Sequence, residues 1–96
     1  MNYEVKQELQ RLKEMLAEDK IETGRYYTFL EEDYYEDDYS KNEIHEMQDE
    51  FLHYAEIYLK ENYSGKYAIQ LGVGVIIIVT KEHFNNLRWK SGWILC

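Results

Sequence analysis

Two histidines and an aspartate at four-residue spacing are the first candidates for chemistry in this sequence. His45, Asp49 and His53 would lie on one side of a helix, and imidazole and carboxylate groups are ligands that Zn²⁺ takes in proteins. The two histidines, however, would be about 12 Å apart along the helix axis, too far for both to bind one ion. We therefore expect no metal site and no cofactor.

Nucleophiles and phosphate-binding loops are no better supported. Cys96 is the only cysteine and the last residue, a position that favours a mobile terminus over an activated nucleophile. Ser40 is better explained as a helix cap, and Gly72-Val73-Gly74 lacks the third glycine of a dinucleotide-binding loop. Carboxylates abound between Glu31 and Asp38, but general acid–base catalysis requires a desolvated cleft, and this stretch is predicted to be open to water. We expect a non-enzymatic protein with no catalytic residue.

The most distinctive segment runs from Glu31 to Tyr39, where six of nine residues are acidic and three are tyrosine. We expect it to contribute nothing to a core. The wider range 31–56 holds eleven acidic residues and one base, Lys41. Repulsion within such a cluster opposes folding, whereas interspersed lysines would serve solubility equally well. Tyrosine rings stack on arginine and are enriched at interface hot spots, so the segment is predicted to bind a positively charged partner.

Further acidic residues are predicted on a helix that begins at Ser40. Ser40 and Glu43 form a capping box, and Ser64-Gly65 provides a stop signal. Carboxylates three or four residues apart on this helix would lie about 4.5 to 6 Å apart along its axis, comparable with the spacing of phosphates on a nucleic-acid strand. The predicted partner-binding residues share negative charge or an aromatic ring in this region: Glu31, Glu32, Asp33, Tyr34, Tyr35, Glu36, Asp37, Asp38, Tyr39, Glu43, Glu46, Asp49, Glu50 and Glu56.

Two main helices and a small antiparallel sheet are predicted to position these residues. Asn2 can cap a first helix that runs to about Asp19 or Lys20. The second helix is predicted to run from Ser40 to about Tyr63, with its acids opposite the apolar stripe. The apolar faces recur at three and four residues: Val5, Leu9, Leu12 and Leu16 on the first helix, and Ile44, Met47, Phe51, Ala55 and Tyr58 on the second.

The strands are predicted from aromatic and β-branched content. Residues 25–30 form a short strand, residues 66–80 a hairpin that turns at Gly72-Val73-Gly74, and residues 93–95 a terminal strand. Residues 81–89 form a short helix or a loop between them. Phe84, Trp89 and Trp93 are expected to complete the core. The prediction is an α+β fold with one domain over residues 1–96.

Composition limits the classes of function. A net charge of −8 argues against direct binding of nucleic acid and favours a basic protein partner. The charge is partitioned, with −10 over residues 21–63 and +3 over residues 64–96. The single cysteine and the absence of a signal-like amino terminus favour the cytoplasm. Ala68 to Val79 is twelve residues long, against the roughly 20 that a membrane-spanning helix needs, so we expect no membrane contact.

Short, acidic, tyrosine-rich chains with a capped acidic helix, as found here between Glu31 and Glu56, resemble phage-encoded anti-CRISPR and anti-restriction proteins that act as DNA mimics. The resemblance lies in charge and aromatic content. It implies a protein in the host-cell cytoplasm that occupies the nucleic-acid groove of a host defence enzyme and blocks it. The basic last third, with Lys81, Arg88 and Lys90, departs from an all-acidic mimic and leaves one face suited to mimicry.

Three other interpretations of the same features stay open. An acidic run is commonly a solvated face with no partner. Immunity proteins and antitoxins also use acidic patches to neutralise a basic toxin. The third possibility is a structural or assembly subunit that forms a homodimer through its apolar sheet, for example by pairing exposed edges of Tyr67–Leu71 or Val75–Thr80.

Overall fold

The computed structural model describes residues 2–72 and 74–96 and has the predicted α+β fold. In chain order the elements are α1 (Tyr3–Ala17), β1 (Tyr27–Leu30), a 3₁₀ helix (Glu31–Asp37), α2 (Lys41–Asn62), β2 (Tyr67–Gly72), β3 (Val75–Thr80), α3 (Lys81–Asn85) and β4 (Trp93–Leu95). No helix in the described ranges is long and apolar enough to cross a membrane.

The four strands form one antiparallel sheet in the order β1, β3, β2, β4. The predicted hairpin is confirmed, with Leu71 opposite Ile76, and Val73 of its predicted turn lies outside the described residues. Because β1 pairs with β3 and β4 pairs with β2, both strands of the hairpin have neighbours on each side. The paired stretches, residues 75–78 of β3 and 68–70 of β2, are therefore not edges of the sheet.

Both long helices begin at the predicted caps. The Asn2 side chain accepts hydrogen bonds from the backbone amides of Glu4 and Val5. Ser40 and Glu43 make the two reciprocal hydrogen bonds of a capping box. The buried faces comprise Val5, Leu9, Leu12 and Leu16 of α1, and Ile44, Met47, Gln48, Phe51, Ala55 and Leu59 of α2.

The core lies between these helices and one face of the sheet. Tyr27 and Phe29 alternate with half-buried neighbours along β1 and point towards the helices. The Phe51 ring stacks on Tyr27 and meets Phe29 edge-on, with 5.4 Å between ring centroids in each pair. Gln48 was not predicted to be buried, and its amide donates a 3.2 Å hydrogen bond to the backbone oxygen of Phe29, which satisfies a polar group inside the core.

The prediction that Trp89 completes the core is wrong. Trp89 is 82% exposed, because α3 ends at Asn85 and the chain has left that helix before the indole. Phe84 and Trp93 are half-buried and contact each other across the same region, with ring centroids 6.4 Å apart. Cys96 is buried, and its backbone amide donates a 2.9 Å hydrogen bond to the Tyr67 oxygen, which continues the pairing of β4 with β2.

Candidate acidic interaction surface

The acidic segment 31–39 is an ordered element of the fold. Its 3₁₀ helix follows β1 directly and contacts both β1 and α2. Asp38 ends the helix in the left-handed conformation, with φ of 61°, which aspartate tolerates better than most residues. Ser40 then caps α2, so the segment is fixed between two regular elements.

Tyr34 holds the middle of this segment against the core. Its side chain is buried, and its ring centroid lies 5.3 Å from that of Phe29 and 6.2 Å from that of Tyr39. The Tyr34 hydroxyl donates a 2.6 Å hydrogen bond to Oε2 of Glu8. The prediction that residues 31–39 contribute nothing to the core is therefore wrong, because a tyrosine ring supplies apolar area even within an acidic run.

The Glu8 carboxylate on α1 accepts hydrogen bonds from three side chains. Besides Tyr34, the Tyr27 hydroxyl donates to Oε1 at 2.6 Å and the Arg11 guanidinium donates to the same oxygen at 2.7 Å. Arg11 also donates to the backbone oxygen of Thr28 and lies 4.3 Å from the Tyr27 ring centroid. Burial, reinforced by Glu8, raises the pKa of both tyrosines, so they remain neutral donors at physiological pH.

Tyr39 also turns inward. It is half-buried, and its hydroxyl donates a 3.3 Å hydrogen bond to Oε1 of Glu4. Burial raises the pKa of Tyr39, with the nearby Glu4 carboxylate acting in the same direction. Of the three tyrosines predicted to contact a partner, Tyr35 alone presents most of its ring to solvent, with 52% of its surface exposed.

Glu31 is a further correction to the predicted partner-binding set. It is only 8% exposed, and its Oε1 lies 3.4 Å from Nε2 of His45 on α2. Its backbone amide donates a 2.8 Å hydrogen bond to the Gly74 oxygen in the hairpin. The hydroxyl of Tyr35 is the main cause that lowers the pKa of Glu31, and His45 acts in the same direction. Glu31 therefore connects the 3₁₀ helix to α2 and to the hairpin.

Eight of the predicted carboxylates remain exposed and lie between residues 32 and 49. We call these eight residues, together with Tyr35, the acidic surface. Within residues 2–72 and 74–96, none of the eight forms an ion pair. Like charges that are close together and not neutralised sum to a strong local potential. The eight are Glu32, Asp33, Glu36, Asp37, Asp38, Glu43, Glu46 and Asp49.

The acidic surface ends before the second half of α2. Glu50 and Glu56 were predicted to lie opposite the core, but both are half-buried. Glu56 also pairs with Lys60, with 3.0 Å between Oε1 and Nζ. Because an ion pair of this kind neutralises local charge, the unneutralised surface is concentrated on the 3₁₀ helix and on the first turns of α2.

The two histidines that were considered as metal ligands are directed to different neighbours. His45 faces Glu31, and the His53 ring lies edge-on to Tyr54 with 5.1 Å between centroids. In the part of the chain that the structure describes, no three His, Cys, Asp or Glu side chains are grouped so that they could hold a metal ion.

No known protein family, curated protein or solved structure is detectably similar to this chain. The fold and its surface define a small α+β protein with a fixed acidic face.

Proposed function

We propose that this protein is a non-enzymatic inhibitor that binds the basic nucleic-acid groove of a nucleic-acid-processing enzyme through its acidic surface. The observation that carries the proposal is the set of eight exposed carboxylates with no ion-pair partner among the described residues. A groove lined by lysine and arginine is stabilised by a polyanion, and the acidic surface supplies one. The resemblance to DNA mimics makes defence enzymes of the CRISPR or restriction type the expected partners.

The inward contacts of the acidic segment support binding over mere solubility. Tyr34, Tyr39 and Glu31 are each turned inward and hold the backbone that presents the exposed acids. An array that is ordered before binding loses less conformational entropy when it docks. A flexible acidic loop would serve solubility without any of these buried contacts.

The spacing of charges on α2 also suits a groove that accepts a phosphate backbone. Glu43, Glu46 and Asp49 follow one another at three-residue intervals. Each interval is about 4.5 Å along the helix axis, and one strand of DNA carries one phosphate per about 3.4 Å of its own axis. Tyr35 adds an exposed ring on the 3₁₀ helix, on which an arginine of the groove can stack.

Affinity capture followed by competition tests this proposal. Immobilised protein at low ionic strength should retain a basic enzyme that binds DNA or RNA, and the free protein should displace nucleic acid from that enzyme. Added salt should weaken the complex, because the attraction between the two surfaces is electrostatic. An enzyme that keeps its nucleic acid when saturated with this protein would refute the proposal, as would the retention of proteins that bind no nucleic acid.

A further inference from the structure

A groove between α1 and the second half of α2 exposes apolar side chains. It has a volume of about 200 Å³ and is lined by Leu9, Lys13, Tyr54, Ile57, Tyr58 and Glu61. Tyr54 and Ile57 are each 40% exposed. Apolar and aromatic side chains that remain accessible in a concave site are suited to receive an anchoring side chain from a partner.

Acidic residues stand one helical turn beyond each end of this apolar pair. Glu50 precedes Tyr54 by four residues, and Glu61 follows Ile57 by four, which is about 6 Å along α2 in each case. Neither carboxylate forms an ion pair with any residue that the structure describes. An apolar centre with a polar rim is the usual anatomy of an interface. These two carboxylates outnumber Lys13, the lysine that lines the groove, and so favour a positively charged segment.

One wall of the groove already carries a cation on a tyrosine ring. The Lys13 ammonium lies 4.9 Å from the ring centroid of Tyr58, a distance at which the ring face attracts positive charge. Tyr54 offers a second, more exposed ring, and no lysine or arginine within the described ranges lies over it. A cation of the partner can make with Tyr54 the contact that Lys13 makes with Tyr58.

We propose that this groove binds an apolar side chain carried on a basic segment of the protein partner. The proposal rests on the function proposed above and adds to it the contact that anchors the partner. The acidic surface attracts the basic segment over a distance, and the groove removes one apolar side chain of that segment from water. Imitation of phosphates requires only negative charge. The apolar groove therefore indicates a partner whose basic surface also carries an apolar residue.

Two synthetic peptides of equal length and equal positive charge test the proposal. One carries lysines with leucines along one helical face, and the other carries glutamine in place of each leucine. The leucine peptide should bind about tenfold more tightly, because burial of one leucine contributes roughly that factor. Ile57→Ser should reduce the affinity of the leucine peptide to that of the glutamine peptide and leave the glutamine peptide unaffected.

Leu71→Ser is the matched control, because Leu71 is 41% exposed, close to the exposure of Ile57, and lies on β2 away from the groove. It should change the binding of neither peptide. Equal affinity of the two peptides for the wild type, or unchanged affinity of the leucine peptide after Ile57→Ser, would overturn the proposal. A dimer that dissociates on Ile57→Ser in sedimentation would assign the groove to a second copy and would also overturn it.

Failure of this inference can be told apart from failure of the proposed function. If amide substitutions at Glu32, Asp33 and Glu36 weaken both peptides while Ile57→Ser weakens neither, the acidic surface binds basic chains without the groove. If the amide substitutions change nothing, the acidic surface itself is not the binding site.

Discussion

The Tyr34 hydroxyl lies 2.6 Å from Oε2 of Glu8, and this hydrogen bond joins the acidic 3₁₀ helix to α1. The other oxygen of the same carboxylate accepts from Tyr27 of β1 and from Arg11. One side chain on α1 therefore connects the first helix, the first strand and the acidic segment. The acidic 3₁₀ helix is thus held by a partly buried network centred on the Glu8 carboxylate.

Removal of the Tyr34 hydroxyl should weaken the fold. Tyr34→Phe deletes a hydrogen bond to a charged group, which contributes about 1.5 to 3 kcal/mol, so the free energy of unfolding in urea should fall by about that amount. Tyr3→Phe is the control, because Tyr3 is 67% exposed and its hydroxyl bonds only the exposed Gln7 side chain within the described residues. That variant should lose less than about 0.5 kcal/mol. Equal decreases in the free energy of unfolding of the two variants would show that the hydrogen bond from Tyr34 to Glu8 does not stabilise the fold.

Substitution of Gly74 should report on the packing of Glu31. Gly74 has φ of +73°, and an added Cβ would overlap Oε2 of Glu31. Gly24 has φ of +87° with no atom within 4 Å of the same position. Alanine at either site should lower the free energy of unfolding by about 1 to 2 kcal/mol, because the backbone there is left-handed. Gly74→Ala should lower it by about 1 kcal/mol more, because the added Cβ conflicts with Glu31. Thermal unfolding of the two variants measures the difference, and identical stabilities would mean that Glu31 moves aside freely.

Acid should destabilise the protein through Glu31 and Glu43. The Tyr35 hydroxyl lowers the pKa of Glu31, and the Ser40 backbone amide lowers the pKa of Glu43. A carboxylate with a lower pKa in the folded state binds fewer protons there than in the unfolded chain. The stability it contributes is complete above its unfolded pKa, about 4.3, and is lost as the pH falls through the folded pKa.

The melting temperature between pH 6 and pH 3, a range chosen around an unfolded pKa of about 4.3, tests this expectation. The melting temperature of Glu31→Gln should fall less steeply with acid than that of the wild type, because one of the two carboxylates no longer titrates. Glu36→Gln removes the same charge from an exposed position of the same 3₁₀ helix and controls for net charge. A slope for Glu31→Gln that matches the wild type would contradict the role given to Glu31.

The capping box should make a measurable contribution to α2. Ser40→Ala removes the side chain that accepts from the Glu43 amide at 3.2 Å, and loss of such a cap costs about 1 kcal/mol. Hydrogen exchange at the Glu43 amide should accelerate as the first turn frays. Ser91→Ala, at an exposed position outside the regular elements, should leave both quantities unchanged. A protected Glu43 amide in Ser40→Ala would mean that the helix begins without this cap.

Local signals predicted the elements of the fold. Asn2, Ser40 and Glu43 mark helix starts through side chains that bond backbone amides within three residues, and this chemistry is visible in the sequence. The hairpin was predictable because two glycines interrupt a long apolar run. The exposure of Trp89 was not predictable, because it depends on where α3 ends. A helix of five residues is too short to show a helical period in the sequence.

The acidic surface was predicted in composition but not in orientation. Tyr34 and Tyr35 are neighbours in the same acidic run, yet one is buried and the other exposed. Which of the two tyrosines is buried depends on Glu8, which lies 26 residues before Tyr34 in the chain. It also depends on the 3₁₀ helix, whose period is neither that of an α-helix nor that of a strand. Glu31 is buried for a similar reason, since its contacts come from α2 and the hairpin.

Two variants with equal net charge separate the location of the charge from its amount. Each carries five acid-to-amide substitutions at exposed positions, so the net charge changes from −8 by +5 to −3 in both. The surface variant changes Glu32, Asp33, Glu36, Asp37 and Asp38. The control variant changes Glu14, Glu18, Asp19, Glu22 and Glu82.

The most direct test of the acidic surface is competition between these proteins and a fluorescent nucleic-acid duplex for the captured basic enzyme. Anisotropy should show that the wild type and the control variant displace the duplex at similar concentrations. The surface variant should require a concentration at least about tenfold higher, because the electrostatic attraction of the acidic surface is reduced. Its inhibition should also depend less on salt. Equal displacement by the two variants would contradict the account, since the position of the acidic residues would then not matter.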